Sequence, residues 1–202
     1  MTDFVLLSTP ASPFGRKVKI AAAVLSLSDR IAVEMTDTSA PDSRLRRENP
    51  LGKIPVLIDA AGMPIYDSRV IVEYLDLLAG GGRILPTEPQ TRIAALRLQA
   101  LADGVMDAAL LRRYESLRQP AERSADWDAN QAGKVERGLA ALEAAPPTPG
   151  PITIGEIAVA CALGYLDFRF DGTWRAAHPA LVAWLAAFEA AVPSFGATTP
   201  SG

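Results

Sequence analysis

A serine between an apolar run and an amphipathic stretch has the clearest chemical use in this sequence. Ser12 follows the apolar residues 4–8 and precedes the segment 14–25, whose apolar side chains recur at helical spacing. A serine at such a junction caps the helix, where free backbone N–H groups and the helix dipole favour a negative charge. Ser12 alone is compatible with two interpretations: a plain helix cap, or a hydroxyl that stabilises a bound anion.

A proline just before the next apolar run is the second feature with chemical use. Ile54-Pro55 precedes residues 56–58, which the pattern predicts to be a buried strand. A proline that enters a paired strand needs a special geometry, and a cis bond would supply it. The backbone edge beside such a bond would pair with an extended peptide. An ordinary trans proline at the start of a strand explains the same pattern, so the sequence leaves the isomer open.

The third feature, Tyr66-Asp67-Ser68-Arg69, lies where the following strand passes into a helix. Ser68 is the predicted N-cap of that helix, and the positive helix end beside it suits a carboxylate. The Asp67 side chain adds an acceptor for an ammonium group. A carboxylate and an ammonium on one carbon describe the end of an α-amino acid, so the segment predicts such a ligand. A plain capped helix is the alternative.

The elements that position these three features form an α/β half. The predicted elements are, in order, a strand at 4–8, a helix at 14–25, a strand at 31–35, a strand at 56–58, a strand at 63–66 and a helix at 68–78. The first three form a βαβ unit, which is parallel and right-handed in nearly all proteins. A turn at 60–62 joins the last two strands as a hairpin. This order is a thioredoxin-like layout.

A run of glycines and prolines after this half marks the predicted domain boundary. Three glycines at 80–82, with prolines soon after them, interrupt the pattern. We therefore predict a first domain at 1–79, a linker at 80–88 and a second domain at 89–202. Alanine and leucine dominate the second domain, and helices are predicted at 90–117, 124–145, 154–168 and 179–191. The predicted fold class is α/β plus all-α.

The composition excludes several classes of chemistry. The 202 residues carry a net charge of −3, which argues against a nucleic-acid partner. Cys161 and His178, the only residues of their types, cannot build a disulfide or a metal cluster, so no metal is expected. No uncharged apolar stretch is long enough to span a membrane, and the basic start of a signal peptide is lacking. We therefore expect a cytoplasmic protein without a membrane span.

Taken together and in this order, these motifs make the sequence resemble the bacterial glutathione transferases over nearly its full length. Residues 49–57 look like the glutathione-site segment of that family, and Asp67-Ser68 resembles its (Glu/Asp)-Ser motif. Ser12-Pro13-Phe14 is similar in position to the catalytic Cys-Pro-Phe of omega-type members and to the active serine of zeta-type members. In the second domain, residues 153–156 resemble the family's Ser/Thr-x-x-Asp capping box, which local hydrogen bonds would close.

The resemblance implies a thioredoxin-like N-terminal domain that binds glutathione, as a co-substrate, at its interface with the all-α domain. Ile54 would pair its backbone with the cysteinyl part of glutathione, and Asp67 with Ser68 would hold the γ-glutamyl end. Ser12 would donate a hydrogen bond to the thiolate and is the expected catalytic residue. The expected glutathione-binding residues are Ser12, Phe14, Lys53, Ile54, Pro55, Asp67 and Ser68.

The sequence also suggests a pocket for a second substrate, and the resemblance suggests an assembly of two copies. Met106, Leu110 and Tyr114 recur on one face of the first long helix and would line a pocket for an electrophile, although core packing explains their spacing equally well. The resemblance also implies a homodimer. Its interface is expected at Arg69, at Val70 and in the helix over residues 90–107.

The resulting hypothesis is a detoxifying enzyme that conjugates glutathione to small hydrophobic electrophiles through a thiolate stabilised by Ser12. The alternatives are a glutathione-dependent isomerase or dehalogenase, and a non-catalytic glutathione-binding or interaction protein on the same fold. Maleylacetoacetate isomerisation is disfavoured because Pro13 and Phe14 stand where zeta-type members have a second serine and a cysteine. Thiol-disulfide reduction is disfavoured because a serine at position 12 cannot form a mixed disulfide.

Overall fold

The computed structural model of the chain describes residues 2–148 and 150–202. Met1 and Pro149, which fall inside the first and the second predicted domain, lie outside the described residues. The chain divides into two units, one made of Met1–Ile93 with Val192–Gly202 and the other of Ala94–Ala191. The predicted domains stay a prediction, and the units differ from them chiefly in the C-terminal tail, which joins the first unit.

The regular elements of the described residues follow the chain from a mixed α/β part into a helical part. They are, in order, β1 (Phe4–Ser8), α1 (Pro13–Val24), β2 (Ile31–Met35), α2 (Arg44–Glu48), β3 (Val56–Ile58), β4 (Pro64–Ile65), α3 (Ser68–Leu78), α4 (Pro89–Leu117), α5 (Ala125–Ala144), α6 (Ile154–Phe170), α7 (Pro179–Ala191) and α8 (Ser194–Ala197). Short 3₁₀ turns lie at Ser28–Arg30, Pro120–Glu122 and Thr173–Ala177.

The strands of the first unit form one sheet in the order β2-β1-β3-β4. β1 pairs with β2 in parallel, as a βαβ unit requires, and β3 pairs antiparallel with both β1 and β4. The predicted thioredoxin-like layout is therefore confirmed. All side chains of β3 and nearly all of β1 are buried, and this double burial explains why both segments read as continuous apolar runs.

Helices α1 and α3 bury their apolar stripes in the first unit and contact each other. Val18 and Ile20 of α1 have no exposed surface, and the same holds for Ile71 and Leu75 of α3. Burial of each such side chain stabilises the fold by about 1.5–3 kcal/mol.

Prolines lie at several element boundaries. The strand predicted after Ile54-Pro55 begins at Val56, since Pro55 has no N–H to donate to a strand ladder. The strand predicted at 63–66 is limited to Pro64–Ile65. α1 begins at Pro13, one residue before its predicted start, because a proline suits the first turn of a helix.

The C-terminal tail packs on α1 within the first unit, which the sequence pattern did not indicate. The buried guanidinium of Arg16 donates from Nη2 to the Phe195 carbonyl oxygen at 2.7 Å and from Nε to Thr198 Oγ1 at 3.3 Å. Its Cζ also lies 3.9 Å from the centroid of the Phe195 ring. A buried cation needs acceptors, and the tail supplies them.

The glycine-rich segment after α3 is held by one buried carboxylate. Asp76 accepts three backbone N–H bonds, from Gly82 at 2.7 Å, from Arg83 at 3.0 Å and from Ile84 at 2.8 Å. The Arg83 guanidinium in turn donates to two carbonyl oxygens at the C-terminal end of α1, at 3.1 and 3.2 Å. The segment predicted as a linker, 80–88, is thus tied to α1 and to α3.

The described part of the second unit is helical, as predicted, and α6 is its most buried element. Residues 157–166 are all buried, and Cys161 lies among them as a small apolar side chain. The Thr153 N–H donates to Glu156 Oε2 at 2.8 Å, and Thr153 Oγ1 accepts from the Gly155 N–H at 3.1 Å, so the predicted capping box is confirmed. Among the described residues, no helix combines the length and the apolar character needed to cross a bilayer.

Candidate functional site

The three features singled out in the sequence lie at one end of the sheet. β1 ends beside the start of β3, because the two strands pair antiparallel. β3 starts beside the end of β4 for the same reason. Ser12 follows β1, Pro55 precedes β3 and Asp67 follows β4. The topology therefore brings the three features to one edge of the first unit.

Ser12 is the N-cap of α1, as predicted. Its backbone is extended, with φ −76° and ψ 117°, and its Oγ accepts a hydrogen bond from the Gly15 N–H at 3.0 Å. Its carbonyl oxygen accepts the N–H of Arg16 at 2.9 Å. Only 9% of the residue is exposed. The bond from Gly15 uses one acceptor position of the hydroxyl and leaves the hydroxyl proton to be donated elsewhere.

The Ile54–Pro55 peptide bond is cis, which decides the isomer that the sequence left open. A second cis bond joins Tyr66 to Asp67. Ile54 is half-buried and Pro55 is buried, whereas Lys53 is exposed. Of these three residues, Lys53 is therefore the one whose side chain lies in solvent.

Asn49, which the sequence pattern did not single out, organises the loop before this proline. It is buried, its Nδ2 donates to the Lys53 carbonyl oxygen at 2.8 Å, and its Oδ1 accepts from the Leu51 N–H at 3.0 Å. The Gly52 N–H closes the turn on the Asn49 carbonyl oxygen at 2.8 Å, and Gly52 has a φ of 60°. Asparagine and glycine are typical turn residues, so their spacing is the sequence pattern that indicates this role.

The structure corrects the predicted cap of α3. Asp67, not Ser68, is the N-cap, and its Oδ1 accepts from the Arg69 N–H at 2.9 Å. Ser68 is the first residue of the helix and is buried, while Asp67 is exposed. Aspartate caps helices as well as serine does. The sequence therefore held two adjacent candidates, and the course of the chain after β4 selects the first.

The electrostatics of this edge favour an anion. β1 and β4 run in the same direction, since each is antiparallel to β3, so α1 and α3 both begin at this edge. Each helix N-terminus is equivalent to about half a positive charge. The ammonium of Lys17, a residue with no exposed surface, lies 5.6 Å from the centroid of the half-buried Phe14 ring. The edge thus combines two positive helix ends and an aromatic side chain with the exposed carboxylate of Asp67.

The residues expected to receive an electrophile lie on α4, in the second unit. Met106 has no exposed surface, Leu110 is half-buried and Tyr114 is 56% exposed. Burial raises the pKa of Tyr165, on α6, above its ordinary value, while Arg169 acts in the opposite direction. Because it has no exposed surface, Met106 is a core residue in this chain. The electrophile pocket stays a prediction for Leu110 and Tyr114.

An apolar groove of about 580 Å³ lies beside α3 on the first unit. Its wall includes Met63, Val70 and Leu77, which are 54%, 51% and 67% exposed. Ile93, near the start of α4, is 64% exposed. Several large apolar side chains exposed on one unit are typical of a contact with another protein. Val70 belongs to the residues predicted for a subunit interface.

Both halves of the chain match sequence models of one family. The model described as the N-terminal domain of glutathione S-transferase matches residues 11–78. The model described as the C-terminal domain of glutathione S-transferase matches residues 101–187. The first match contains Ser12, Pro55 and Asp67, the three residues that the sheet brings to one edge.

Individual relatives are similar over most of their length. YibF of Escherichia coli, an uncharacterized GST-like protein, is 34% identical over 168 residues, which are 81% of this chain and 82% of YibF. A crystal structure of a glutathione transferase family member from Pseudomonas fluorescens, with bound glutathione, has a TM-score of 0.90 at 42% identity, with 98% of this chain and 100% of that chain covered. A glutathione S-transferase of Methylobacterium radiotolerans, in complex with glutathione sulfonate, has a TM-score of 0.91 at 36% identity, with 100% and 96% covered.

Proposed function

This chain belongs to the glutathione S-transferase superfamily, and from that premise we propose that it is an enzyme that conjugates glutathione to small hydrophobic electrophiles. Ser12 is the proposed catalytic residue, and its hydroxyl donates a hydrogen bond to the thiolate of glutathione. The proposed location is the cytoplasm, and detoxification is the proposed role.

The geometry of Ser12 is the observation that carries this proposal. Its Oγ is held by the Gly15 N–H at 3.0 Å, at the N-terminus of α1, and its proton is available for a further bond. A hydroxyl at a positive helix end suits a bound anion. A thiolate is the anion that conjugation requires, because the thiolate and not the thiol is the nucleophile.

The proposed placement of glutathione uses the other two features of the same edge. The backbone of Ile54 pairs with the cysteinyl part, next to Pro55. Asp67 and Ser68 hold the γ-glutamyl end, where the N-terminus of α3 suits its carboxylate and Asp67 its ammonium. Phe14 and Lys53 complete the proposed site. The glutathione in the P. fluorescens relative and the glutathione sulfonate in the M. radiotolerans relative support a ligand of this kind.

For the electrophile, the proposed contacts are Leu110 and Tyr114, whose side chains have exposed surface on α4. Met106 supports them from the core of the second unit. A screen of electrophile classes with glutathione tests the proposed reaction. Binding of glutathione without turnover of any class would instead support the non-catalytic alternative, and no binding at millimolar concentration would overturn both.

The charge of Asp67 gives a direct test of the proposed glutathione site. In an Asp67→Asn variant the side chain keeps its Oδ1 acceptor for the Arg69 N–H, so the cap of α3 is preserved. The negative charge opposite the ammonium is lost, and we expect the affinity for glutathione to fall about tenfold, since charge-assisted bonds exceed neutral ones by about 1.5 kcal/mol. Titration calorimetry measures the dissociation constant.

Asp126→Asn is the matched control for this variant. Asp126 is also an exposed aspartate at the N-terminal end of a helix, in the first turn of α5, but it belongs to the second unit. We expect its substitution to leave the affinity for glutathione unchanged. Equal affinities for the two variants would show that Asp67 does not contact the γ-glutamyl end.

We also propose that the protein is a homodimer through the apolar surface beside α3. Met63, Val70, Leu77 and Ile93 are the exposed apolar residues that support this surface, and Arg69 lies beside them at the start of α3. The proposed interface also includes the part of α4 up to position 107. Burial of such side chains between two copies removes apolar area from water, which favours association by about 25 cal/mol per Å² of that area.

An arginine at position 70 is expected to dissociate this homodimer. Light scattering should give twice the chain mass of 21.4 kDa for the unmodified protein and the single mass for Val70→Arg. The control is Val33→Arg, because Val33 and Val70 are 50% and 51% exposed, and Val33 lies on β2, at the edge of the sheet opposite β4. A Val70→Arg protein that keeps the double mass would overturn the proposed surface.

A further inference from the structure

Gly15 lies in the first turn of α1, at a position where no side chain fits. A Cβ built on Gly15 would lie 2.0 Å from Oγ of Ser8 and 3.2 Å from its Cβ, and 3.4 Å from the Cβ of Ser12. The first distance is far below van der Waals contact. The hydroxyl of Ser8 therefore occupies the space that a side chain at position 15 would need.

Ser8 is held in place by the sheet. It is the last residue of β1, it pairs with Met35 of β2, and it has no exposed surface. Its Oγ donates to the Thr9 carbonyl oxygen at 3.4 Å, and its own carbonyl oxygen accepts from the Thr36 N–H at 3.3 Å. A side chain in a close-packed interior has no free volume to turn into. The end of β1 is thus a fixed surface against which the first turn of α1 rests.

Gly15 is also the residue that holds the hydroxyl of Ser12. Its N–H donates to Ser12 Oγ at 3.0 Å, in a buried bond. Any displacement of the backbone at position 15 therefore moves the donor that orients this hydroxyl. A hydroxyl that accepts one hydrogen bond is polarised and becomes a better donor.

We propose that Gly15 and Ser8 are positioning residues for Ser12. Their close contact sets the distance between the end of β1 and the first turn of α1, and through the Gly15 N–H it sets the direction of the Ser12 hydroxyl proton. This inference rests on the proposed function, in which that proton is donated to the thiolate of glutathione. Gly15 and Ser8 act through Ser12 and do not contact glutathione.

Gly15→Ala is the substitution that tests this inference. We expect the apparent pKa of the bound glutathione thiol to rise by about one unit, and kcat at neutral pH to fall about threefold, in proportion to the thiolate fraction. The dissociation constant for glutathione should change little, because the proposed contacts of the γ-glutamyl end are untouched. Ultraviolet difference titration of the thiolate and steady-state kinetics measure the two effects.

Gly104→Ala is the control, because a Cβ on Gly104, also in a helix, meets no atom within 4 Å. We expect it to match the unmodified protein in thiol pKa and in kcat. A second variant, Ser8→Gly combined with Gly15→Ala, removes both Ser8 atoms that the new methyl group would meet. We expect this double variant to recover the thiol pKa and most of kcat.

The outcomes separate this inference from the proposed function. If the unmodified protein does not ionise bound glutathione, the proposed function fails. If it does, and Ser12→Ala abolishes the effect while Gly15→Ala leaves the thiol pKa of the unmodified protein unchanged, the positioning role alone is overturned. If Gly15→Ala does not fold, the double variant decides the question. A double variant that folds and ionises bound glutathione supports the proposed contact. A double variant that does not fold, or that folds without ionising glutathione, overturns it.

Discussion

The Ser12→Ala variant is expected to bind glutathione but to leave its thiol largely protonated at neutral pH. A free thiol has a pKa of about 8.5 and is roughly 3% ionised at pH 7. A lowering by about two units corresponds to about 2.7 kcal/mol and raises the ionised fraction to roughly three quarters. If the Ser12 hydroxyl supplies most of this, its loss reduces the thiolate, and the conjugation rate at pH 7, by about tenfold to thirtyfold.

The lowered thiol pKa determines how the conjugation rates of the two proteins should depend on pH. Because a lowered pKa makes thiolate available at lower pH, the rate of the unmodified protein should rise with pH through about 6.5 and then level off. The rate of Ser12→Ala should rise through a pKa nearer about 8.5. The defect is therefore largest below pH 7 and shrinks toward none at alkaline pH, where both proteins hold ionised glutathione. A defect of the same size at every pH would contradict thiol activation by Ser12.

Ser124→Ala is the matched control for the loss of a helix cap. Ser124 caps α5, and its Oγ accepts from the Trp127 N–H at 3.3 Å, as Ser12 Oγ accepts from Gly15. Each cap contributes about 1 kcal/mol to stability, so both variants should lose a similar free energy of unfolding. Only Ser12→Ala should lose the ultraviolet signal of the thiolate.

Asp76→Ala is expected to destabilise the first unit more than the loss of a helix cap does. It removes three hydrogen bonds that the N–H groups of Gly82, Arg83 and Ile84 donate to its carboxylate. Hydrogen bonds to charged groups contribute more than neutral ones, but two of the three donors regain water, so we expect a loss of about 3 kcal/mol. Urea denaturation measures it as a lower midpoint with an unchanged slope.

Asp59→Ala distinguishes this effect from the loss of any turn aspartate. Asp59 Oδ1 accepts from the N–H groups of Ala61 and Met63 at 2.9 and 2.8 Å, in an exposed hairpin turn. Water replaces an exposed acceptor at little cost, so we expect a loss of about 1 kcal/mol or less. Similar losses for Asp59→Ala and Asp76→Ala would contradict the special role of the buried carboxylate.

Features that depend on neighbouring residues could be predicted from the sequence. The buried strands at 4–8 and 56–58 are continuous apolar runs, and burial of both faces requires that pattern. Thr153 and Glu156 stand three residues apart, which is all that a capping box needs. Ser12 could be identified as a helix cap for the same reason, since its bond partner Gly15 is three residues away.

The choice among local alternatives required the whole first unit. Asp67 and Ser68 are both good caps, and only the path of the chain after β4 selects Asp67. The cis isomer at Pro55 was likewise one of two options that the sequence left open. The periodic spacing that suggested a pocket at Met106 equally suits a core residue, and burial shows that Met106 is one.

The fold class, the helix cap at Ser12 and the family follow from the residues alone, because apolar periodicity and caps are properties of short segments. The surroundings of that cap depend on tertiary packing: the Ser8 hydroxyl lies behind Gly15, and the tail meets Arg16 across 179 residues of sequence. Such contacts are set by how strand, helix and tail pack, and no spacing along the chain encodes them. Ser12 could therefore be identified as a helix cap from the sequence, whereas the contacts that position it are determined by the tertiary structure.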